Sequence, residues 1–284
     1  MTPRTLTHWL AMLLVLVLTG AAQAATRHET AVQINLSGKQ RMLTQKMTKE
    51  MLFIARGIDV EANQAALKKT ATLFETTLDG LVVGNPNLGL PPTEDPAIVQ
   101  QLAKVKNLWA DYKKYVETAL AGGLTRSMLE DIERLNMPLL KEMNKAVQMY
   151  AKAGGSKISP ALANTINLAG KQRMLTQKMT KELLFIANGV HPEKNKAELQ
   201  KTVALFDRTL KGLMHGDKEL GLPGTKDPKI LAQLQEVQKL WQQYKPILDK
   251  ADVSDAALEQ AARLNLLLLH EMNKAVKMFE ASAG

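Results

Sequence analysis

The feature that most constrains this chain is a 24-residue segment that occurs twice. Residues 34–57 read INLSGKQRMLTQKMTKEMLFIARG and residues 166–189 read INLAGKQRMLTQKMTKELLFIANG, so only three of the 24 positions differ. The two copies are 132 residues apart, and this offset continues through Lys113. Self-similarity at a constant spacing indicates an internal duplication, so we expect two related structural units.

Identity between the two copies is unevenly distributed. When residues 61–113 are aligned with 193–245, only about half of the positions match. Apolar cores tolerate exchanges at similar volume, so packing alone does not require retained polar side chains. The first segment nevertheless retains Asn35, Gly38, Lys39, Gln40, Arg41, Thr44, Gln45, Lys46, Thr48 and Lys49 with their partners. A shared function is one explanation, and a recent duplication is the other.

Residues 1–25 have the pattern of a secretory signal peptide. Arg4 precedes an apolar run from Trp9 to Leu18, and Ala22-Gln23-Ala24 is a small-residue cleavage site. The run is shorter than the roughly 20 residues of a stable membrane-spanning helix. We therefore expect export to the periplasm as a soluble protein, with an uncleaved anchor as the alternative.

Composition excludes several classes of function. The chain contains no cysteine, which rules out disulfides, thiolate metal sites and covalently attached c-type haem. A formal net charge of +9 favours anions at the surface. The basic residues form no arginine-rich tract and are not interleaved with aromatic residues, so we expect no nucleic-acid partner. We also expect no cofactor.

Beyond the signal segment, apolar residues recur at spacings of three and four, which predicts an all-α protein. Clusters of glycine and proline separate four helices in each repeat. In the first repeat the predicted helices cover about 30–56, 61–83, 95–120 and 125–152. Four helices with short connections favour an up-down-up-down bundle. The chain should therefore form two tandem four-helix bundles, in domains 26–153 and 161–284.

The linker 154–160, GGSKISP, interrupts the helical pattern. Such a segment spans on the order of 20 Å, which is about the width of a bundle. Because the first and last helices of a bundle begin and end at the same pole, we expect the two bundles to pack side by side with their first helices in contact. A head-to-tail rod is the alternative, but the chain would have to cross the length of a bundle.

The repeated helix carries two unusual faces. At about 100° per residue, one stripe suits a bundle core, namely Leu36, Leu43, Met47, Met51 and Ile54. The opposite side is not a charged surface, since it consists of Ile34, Gly38, Arg41, Gln45, Thr48 and Leu52. A glycine in mid-helix costs roughly 0.5 to 1 kcal/mol relative to alanine, which indicates that another group approaches closely. This side should be a second packing surface.

On this second surface, Arg41 from one repeat and Arg173 from the other would meet across a pseudo-twofold axis. Two guanidinium groups repel each other unless a negative group lies between them. A planar oxyanion suits the gap because each guanidinium offers parallel N–H donors, and a water-poor interface favours weakly hydrated anions such as nitrate. The alternative is a plain helix–helix contact in which the arginines extend to water.

Residues 34–45, INLSGKQRMLTQ, resemble the first-helix motif of the type IV pilus chemotaxis transducer N-terminal (PilJ-like) family. The pattern I-N-x-[AS]-G-x-x-R-M-x-[ST] also resembles the nitrate-binding motif of the NarX and NarQ class of sensor kinases, and residues 166–177 match it equally well. The resemblance covers both repeats and implies four-helix sensory domains that bind nitrate or nitrite where two first helices meet.

Carried over by position, the resemblance assigns the arginine to Arg41 and Arg173 and the glycine to Gly38 and Gly170. It implies that the duplication builds within one monomer what those receptors form as a dimer, although a homodimer with sites between chains is the alternative. Weaker candidates for further ligand contacts are Asn35, Asn167, Gln45 and Gln177.

The transducer-like pattern lacks its signalling parts. No hydrophobic stretch follows the second repeat, and no kinase or methyl-accepting region is found in the sequence. We therefore expect a sensor-type binding protein, whose partner is a small inorganic anion and whose output passes through a separate membrane signalling protein. The motif supports an oxyanion more strongly than it specifies nitrate.

An enzyme is a weaker interpretation. Helical bundles that hold di-iron sites use Glu-x-x-His pairs, which do not occur here. The histidines are not duplicated either, since His270 corresponds to Lys141 and His191 to Asp59. Neither a catalytic residue nor a metal site is therefore expected.

Two further alternatives use other repeated residues. Methionines could bind copper(I) through their thioethers, although most lie on the core stripe, where methionine usually fills gaps; they are Met42, Met47, Met51, Met174 and Met179. Residues 142–147, EMNKAV, recur at 271–276, and Trp109 recurs as Trp241. These sets are typical of helix packing, with the tryptophans anchoring each bundle. A non-catalytic interaction module that docks on a membrane receptor or pilus component is therefore the stronger alternative.

Overall fold

A computed structural model of the protein describes residues 27–155 and 158–282, and within these segments the chain forms eight α-helices and one short 3₁₀ helix. The α-helices are α1 (Arg27–Arg56), α2 (Val60–Val83), α3 (Pro96–Leu120), α4 (Arg126–Gly154), α5 (Pro160–Ala187), α6 (Pro192–His215), α7 (Pro228–Lys250) and α8 (Asp255–Ala281). The predicted signal peptide lies outside the described residues.

The helix starts follow the local signals in the sequence. Asp95 caps α3 by accepting a hydrogen bond from the Ala97 amide at 2.8 Å, and proline follows it at the first helical position. Ser159 and Asp227 cap α5 and α7 in the same way, each again before a proline. A polar cap accepts from an amide that has no acceptor within the helix, and proline, which lacks an N–H, loses no helical hydrogen bond at the first position. The predicted boundaries are therefore reproduced to within about three residues.

The all-α prediction of two bundles packed side by side is confirmed. Helices α1–α4 form one bundle and α5–α8 the other, and α1 packs in parallel against α5. We call this α1–α5 interface the seam. Asn188 donates to the main-chain oxygen of Leu52 at one end of the seam, and Arg173 donates to Asn35 towards the other end. Inside the predicted linker, α4 continues through Gly154 and α5 begins at Pro160, while residues 156–157 are outside the described segments.

Each bundle has an aromatic core, as predicted for the repeated tryptophans. The Trp109 ring lies 4.8 Å from that of Phe74, centroid to centroid, and the Trp241 ring lies 4.5 Å from that of Phe206. Both tryptophans are buried. Such tilted aromatic pairs combine a large buried area with favourable ring geometry, so they fix the second and third helices of each repeat against each other.

The repeated helix is buried around nearly its whole circumference, because one face fills its own bundle and the other forms the seam. Several retained polar residues have structural roles. Gln40 donates to the main-chain oxygen of Phe74 at 2.8 Å, and Gln172 does the same to Phe206 at 2.9 Å. Lys46 bonds to Glu50 and to Thr70 of α2. Part of the polar identity between the repeats is therefore explained by hydrogen bonds that join helices.

A search of the described segments for helices with the length and apolar character of a membrane span finds none.

Candidate functional site

The two motif arginines meet inside the seam of one chain. Both side chains are only 1% exposed. Arg41 donates from Nη1 to Asn144 Oδ1 of α4 at 2.7 Å and from Nη2 to the Asn167 main-chain oxygen of α5 at 3.0 Å. Arg173 donates from Nη1 to Asn273 Oδ1 of α8 at 2.9 Å. Each guanidinium is thus held by its own bundle and also reaches across the seam.

The motif glycines make room for these guanidinium groups. A Cβ atom at Gly38 would lie 3.3 Å from Arg41 Nη2. At Gly170 it would lie 3.4 Å from Arg173 Nη2 and 3.7 Å from Arg41 Nη2. The two arginines therefore share one small space beside Gly170. The glycines permit this close approach, which is the role that their mid-helix position predicted.

The site concentrates positive charge in a water-poor interior. Burial lowers the pKa of Arg41 to about 9, with the nearby charge of Arg173 as the second cause. Burial also lowers the pKa of Arg173 to about 10, and the Glu280 carboxylate opposes this shift. A guanidinium keeps its proton at neutral pH, so both groups carry their charge. Lys39 and Lys171 have pKa values lowered by burial and by the arginines opposite them.

Neutral groups, not carboxylates, hold the two arginines. Among the described residues neither guanidinium forms an ion pair with an acidic side chain, and the partners are asparagine amides and main-chain oxygens. The Nε atoms of both arginines are buried without a hydrogen-bond partner in the same part of the chain. Buried cations are normally paired, because an unpaired charge away from water is costly. An anion in this space would supply the missing acceptor and charge.

The two motif asparagines play different parts at the site. Asn35 accepts from Arg173 Nη2 at 2.7 Å through Oδ1 and at 3.2 Å through its main-chain oxygen, while its amide donates to Glu280. Asn167 contacts Arg41 only through its main-chain oxygen. The Oδ1 atom of Asn167 is buried without a partner among the described residues. An unpaired amide beside unpaired guanidinium donors is where a ligand would fit, with the amide nitrogen and oxygen interchangeable by rotation.

Gln45 and Gln177, the remaining sequence candidates, lie in the seam one turn beyond the arginines. Gln45 donates to Thr44 Oγ1 at 3.0 Å, and Gln177 donates to Asn265 Oδ1 at 3.0 Å. Neither hydrogen-bonds to an arginine in the described structure, and the Oε1 atom of each is buried without a partner there. Their contacts thus place them in the next polar layer and not against the guanidinium groups.

Sequence reasoning missed Asn144 and Asn273, the acceptors of the arginine Nη1 atoms. A signal for them was present, since each copy of the repeated stretch EMNKAV contains one of the two asparagines. The apolar spacing of this stretch, however, is that of a packing helix. The partner of Arg41 lies about a hundred positions along the chain. Only the bundle fold brings the two side chains together.

A second polar layer lies further along the seam. Lys49 of α1 donates to Asn265 Oδ1 at 2.8 Å, and Lys181 of α5 donates to Asn136 Oδ1 at 3.0 Å. Burial lowers the pKa of each lysine to about 8, an effect that the neighbouring Glu50 or Glu182 carboxylate opposes. Each of these bonds joins one repeat to the last helix of the other, so this layer ties the bundles together.

The residues considered for metal binding do not converge. Met47, Met51 and Met179 are fully buried in the apolar core, which is the gap-filling position expected of methionine. His191 Nδ1 lies 2.8 Å from Glu133 Oε2, between α4 and the start of α6. The described segments contain no group of three or more histidine, cysteine or acidic residues with the geometry to hold a metal ion.

The chain matches a known family over both repeats. The model of the type IV pili methyl-accepting chemotaxis transducer N-terminal domain matches residues 22–135 and again residues 157–269. The chain is also similar to the methyl-accepting chemotaxis protein McpN of Pseudomonas aeruginosa, with 35% identity over 128 residues. That alignment covers 44% of this chain and 23% of the relative, so the similarity spans about one repeat here and about a quarter of the transducer.

Proposed function

Because this chain belongs to the family of type IV pili methyl-accepting chemotaxis transducer N-terminal domains, we propose that its two repeats together form a sensory binding site for a small oxyanion, nitrate or nitrite in particular. The ligand would lie in the seam between Arg41 and Arg173. In this arrangement the protein binds its ligand without transforming it.

One observation carries the proposal, namely two buried guanidinium groups in one space with no carboxylate paired to either of them in the described segments. In the same segments each arginine has an unpaired buried Nε–H donor, and the Asn167 amide, whose oxygen has no partner there, can turn its nitrogen towards an anion. Like charges in a low-dielectric interior repel strongly, so the seam is at its most favourable with an anion present. A bound anion should therefore stabilise the packing of α1 on α5.

The shape and hydration of the ligand follow from the same geometry. The glycines let the guanidinium groups lie close to the helix backbones, and the forked donors of arginine match a planar set of oxygens. Sulfate carries two charges and is strongly hydrated, so its desolvation in the seam costs more. Chloride presents no planar oxygens to the fork. Nitrate and nitrite fit both requirements.

We infer the compartment and the output from other features. The signal-peptide pattern of residues 1–25 favours a periplasmic location, where a nitrate sensor meets its ligand. Met137 of α4 and Leu266 and Leu267 of α8 are exposed apolar side chains in the corresponding stretches of the two repeats. A separate membrane signalling protein could bind this surface and respond to the ligand state. The chain would then act as a non-catalytic helical interaction module.

Isothermal titration of the exported form with nitrate, nitrite, sulfate and chloride tests the proposal. We expect saturable binding of nitrate or nitrite with one ion per chain and much weaker heats with sulfate and chloride. Arg41→Lys keeps a positive charge but removes the planar fork, so affinity should fall by at least tenfold. Arg173→Lys should behave similarly.

The matched control is Arg134→Lys, since Arg134 is an exposed arginine whose partner is Asp131 of the same helix. Its nitrate affinity should equal that of the unmodified protein. Absence of any binding heat and of any anion-dependent thermal shift would remove the oxyanion proposal and leave the interaction module in its place.

A further inference from the structure

The pseudo-twofold symmetry of the site is broken near the end of the fourth helix of each repeat. Aligning EMNKAV at 142–147 with its copy at 271–276 places Ala151 of α4 opposite Glu280 of α8. In the second repeat the Glu280 carboxylate accepts a hydrogen bond from the amide of Asn35, which in turn holds Arg173. In the first repeat Ala151 has no group that can reach Asn167 in this way. One half of the site thus contains a carboxylate that the other half lacks.

This difference leaves the two arginines in unequal electrostatic surroundings. Glu280 is the charged group that opposes the burial-driven fall in the pKa of Arg173. For Arg41, burial and the charge of Arg173 both lower the pKa. The carboxylate of Glu280 is itself a planar oxyanion, so the Arg173 half already has a negative group close by. Of the two guanidinium groups, Arg41 therefore carries the less compensated charge.

A cleft opens on the same side as Ala151. It has a volume of about 410 Å³ and lies between the end of α4 and the start of α5, with Ala151 and Lys152 on one wall and Asn164 on the other. The cleft reaches Asn167, whose main-chain oxygen accepts from Arg41 Nη2 at 3.0 Å. Lys152 at this opening favours the approach of anions. A glutamate in place of Ala151 would project into this space towards Asn167, as Glu280 reaches Asn35 in the other half.

We propose, on the premise that the seam binds an oxyanion as described above, that Glu280 occupies the second, symmetry-related anion position and that the ligand enters through the Ala151 cleft to bind on the Arg41 side. The duplicated motif then makes one functional half-site and one half-site filled by the chain itself. Binding is limited to one monovalent anion per chain, because a second negative ion would lie close to Glu280. Asymmetry of this kind is available to a duplicated chain but not to a dimer of identical subunits.

Exchange of the two residues tests the proposal. Ala151→Glu puts a tethered carboxylate into the open half, where its effective concentration is high, so nitrate affinity measured by titration calorimetry should fall at least tenfold. Ala65→Glu is the matched control, since Ala65 is exposed on α2 at the opposite pole and the substitution adds the same charge. Its affinity should match that of the unmodified protein. The double variant Ala151→Glu, Glu280→Ala reverses the asymmetry and should recover most of the lost affinity.

Glu280→Gln tests the same point without adding bulk to the cleft. It removes the negative charge while keeping the shape, so nitrate should bind about three- to tenfold more tightly or at more than one ion per chain. Circular dichroism and thermal unfolding identify any variant that fails to fold, and Glu280→Gln then decides. If the unmodified chain binds nitrate but Ala151→Glu binds it equally well and Glu280→Gln changes nothing, this inference is wrong and the site remains symmetric. If the unmodified chain binds no anion, the fault lies with the proposed function.

Discussion

Arg173 donates from Nη2 to both oxygens of Asn35 across the seam, at 2.7 Å to Oδ1 and 3.2 Å to the main-chain oxygen. The reciprocal pair is weaker, because Arg41 reaches only the main-chain oxygen of Asn167. Two helices of nearly identical sequence therefore present unequal halves of one site. The inequality arises from α8, where Glu280 fixes the orientation of the Asn35 amide.

The asparagine that holds Arg41 offers a direct test of charge complementarity. Asn144→Asp replaces the neutral acceptor of Arg41 Nη1, which lies at 2.7 Å, with a carboxylate of nearly the same shape. The new ion pair should neutralise Arg41 and compete with the ligand, so nitrate affinity should fall at least tenfold, or about 1.4 kcal/mol. The melting temperature of the ligand-free protein should rise by about 2 to 4 °C for each kcal/mol added to the unfolding free energy, because a buried cation obtains its counterion. Asn107→Asp, on the exposed side of α3, should change neither quantity.

Replacing the motif glycines with alanine should stabilise the helix and weaken nitrate binding. Alanine is the better helix former by roughly 0.5 to 1 kcal/mol, so Gly38→Ala and Gly170→Ala remove a backbone cost. The added methyl group at position 170 would contact Nη2 of both arginines, whereas at position 38 it would contact only Arg41. We expect Gly170→Ala to weaken nitrate binding more than Gly38→Ala. Equal affinities for both variants and the unmodified chain, measured by calorimetry, would show that the ligand does not use this space.

The second polar layer should make stability depend on pH. Burial lowers the pKa of Lys49 and Lys181 from 10.5 to about 8. Between these values the unfolded chain keeps protons that the folded protein has released, so the unfolding free energy increases as the pH rises from about 8. The slope should be on the order of 1 kcal/mol per pH unit per lysine. Denaturant unfolding between pH 7.5 and 9.5 measures it. At higher pH the buried Tyr112 and Tyr244, whose pKa values burial raises, act in the opposite direction.

Lys49→Met should flatten this pH dependence and raise stability at pH 7.5, because it removes a charge that burial disfavours. Lys68→Met changes an exposed lysine of α2 and should leave the slope as it was. A slope unaffected by Lys49→Met would mean that other groups produce the pH dependence.

The buried tyrosines provide a paired test of the hydrogen bonds within each bundle. The Tyr112 hydroxyl lies 2.5 Å from Thr48 Oγ1, and the Tyr244 hydroxyl lies 2.7 Å from Thr180 Oγ1. Tyr112→Phe and Tyr244→Phe should each destabilise the protein by about 1 kcal/mol, because each buried threonine hydroxyl loses one of its hydrogen bonds. Anion affinity should be unchanged, since this layer lies two helical turns beyond Arg41. A substantial loss of affinity in either variant would contradict the separation of the two layers.

The local features of the fold were predictable from the sequence. Apolar spacing, proline and glycine positions, and capping residues such as Asp95 and Ser159 act within a few residues of one another. The seam was predictable as well, because Ile34, Gly38 and Leu52 lie on the face opposite the bundle core and such a face must be covered. The sequence alone therefore places Arg41 and Arg173 together.

The surroundings of the arginines could not be predicted in this way. Asn144 and Asn273 lie in helices whose apolar spacing is that of ordinary packing helices. No local signal distinguishes these two asparagines from residues that face solvent. Gln45 shares the seam face with Arg41 but bonds to Thr44, because one helical turn separates it from the guanidinium. Periodicity specifies the face of a helix on which a residue lies, but not which partner it meets there.

The sequence by itself determined the duplication, the eight helices, their bundle order and the pairing of the two first helices, because these depend on periodicity and short-range backbone preferences. Only the tertiary structure decided that Glu280 reaches Asn35 while its counterpart Ala151 lines a cleft. That outcome depends on where the ends of α4 and α8 lie relative to the seam. Contacts between residues far apart in the chain are set by the packing of whole helices, so a single substitution between otherwise similar repeats reveals its effect only in three dimensions.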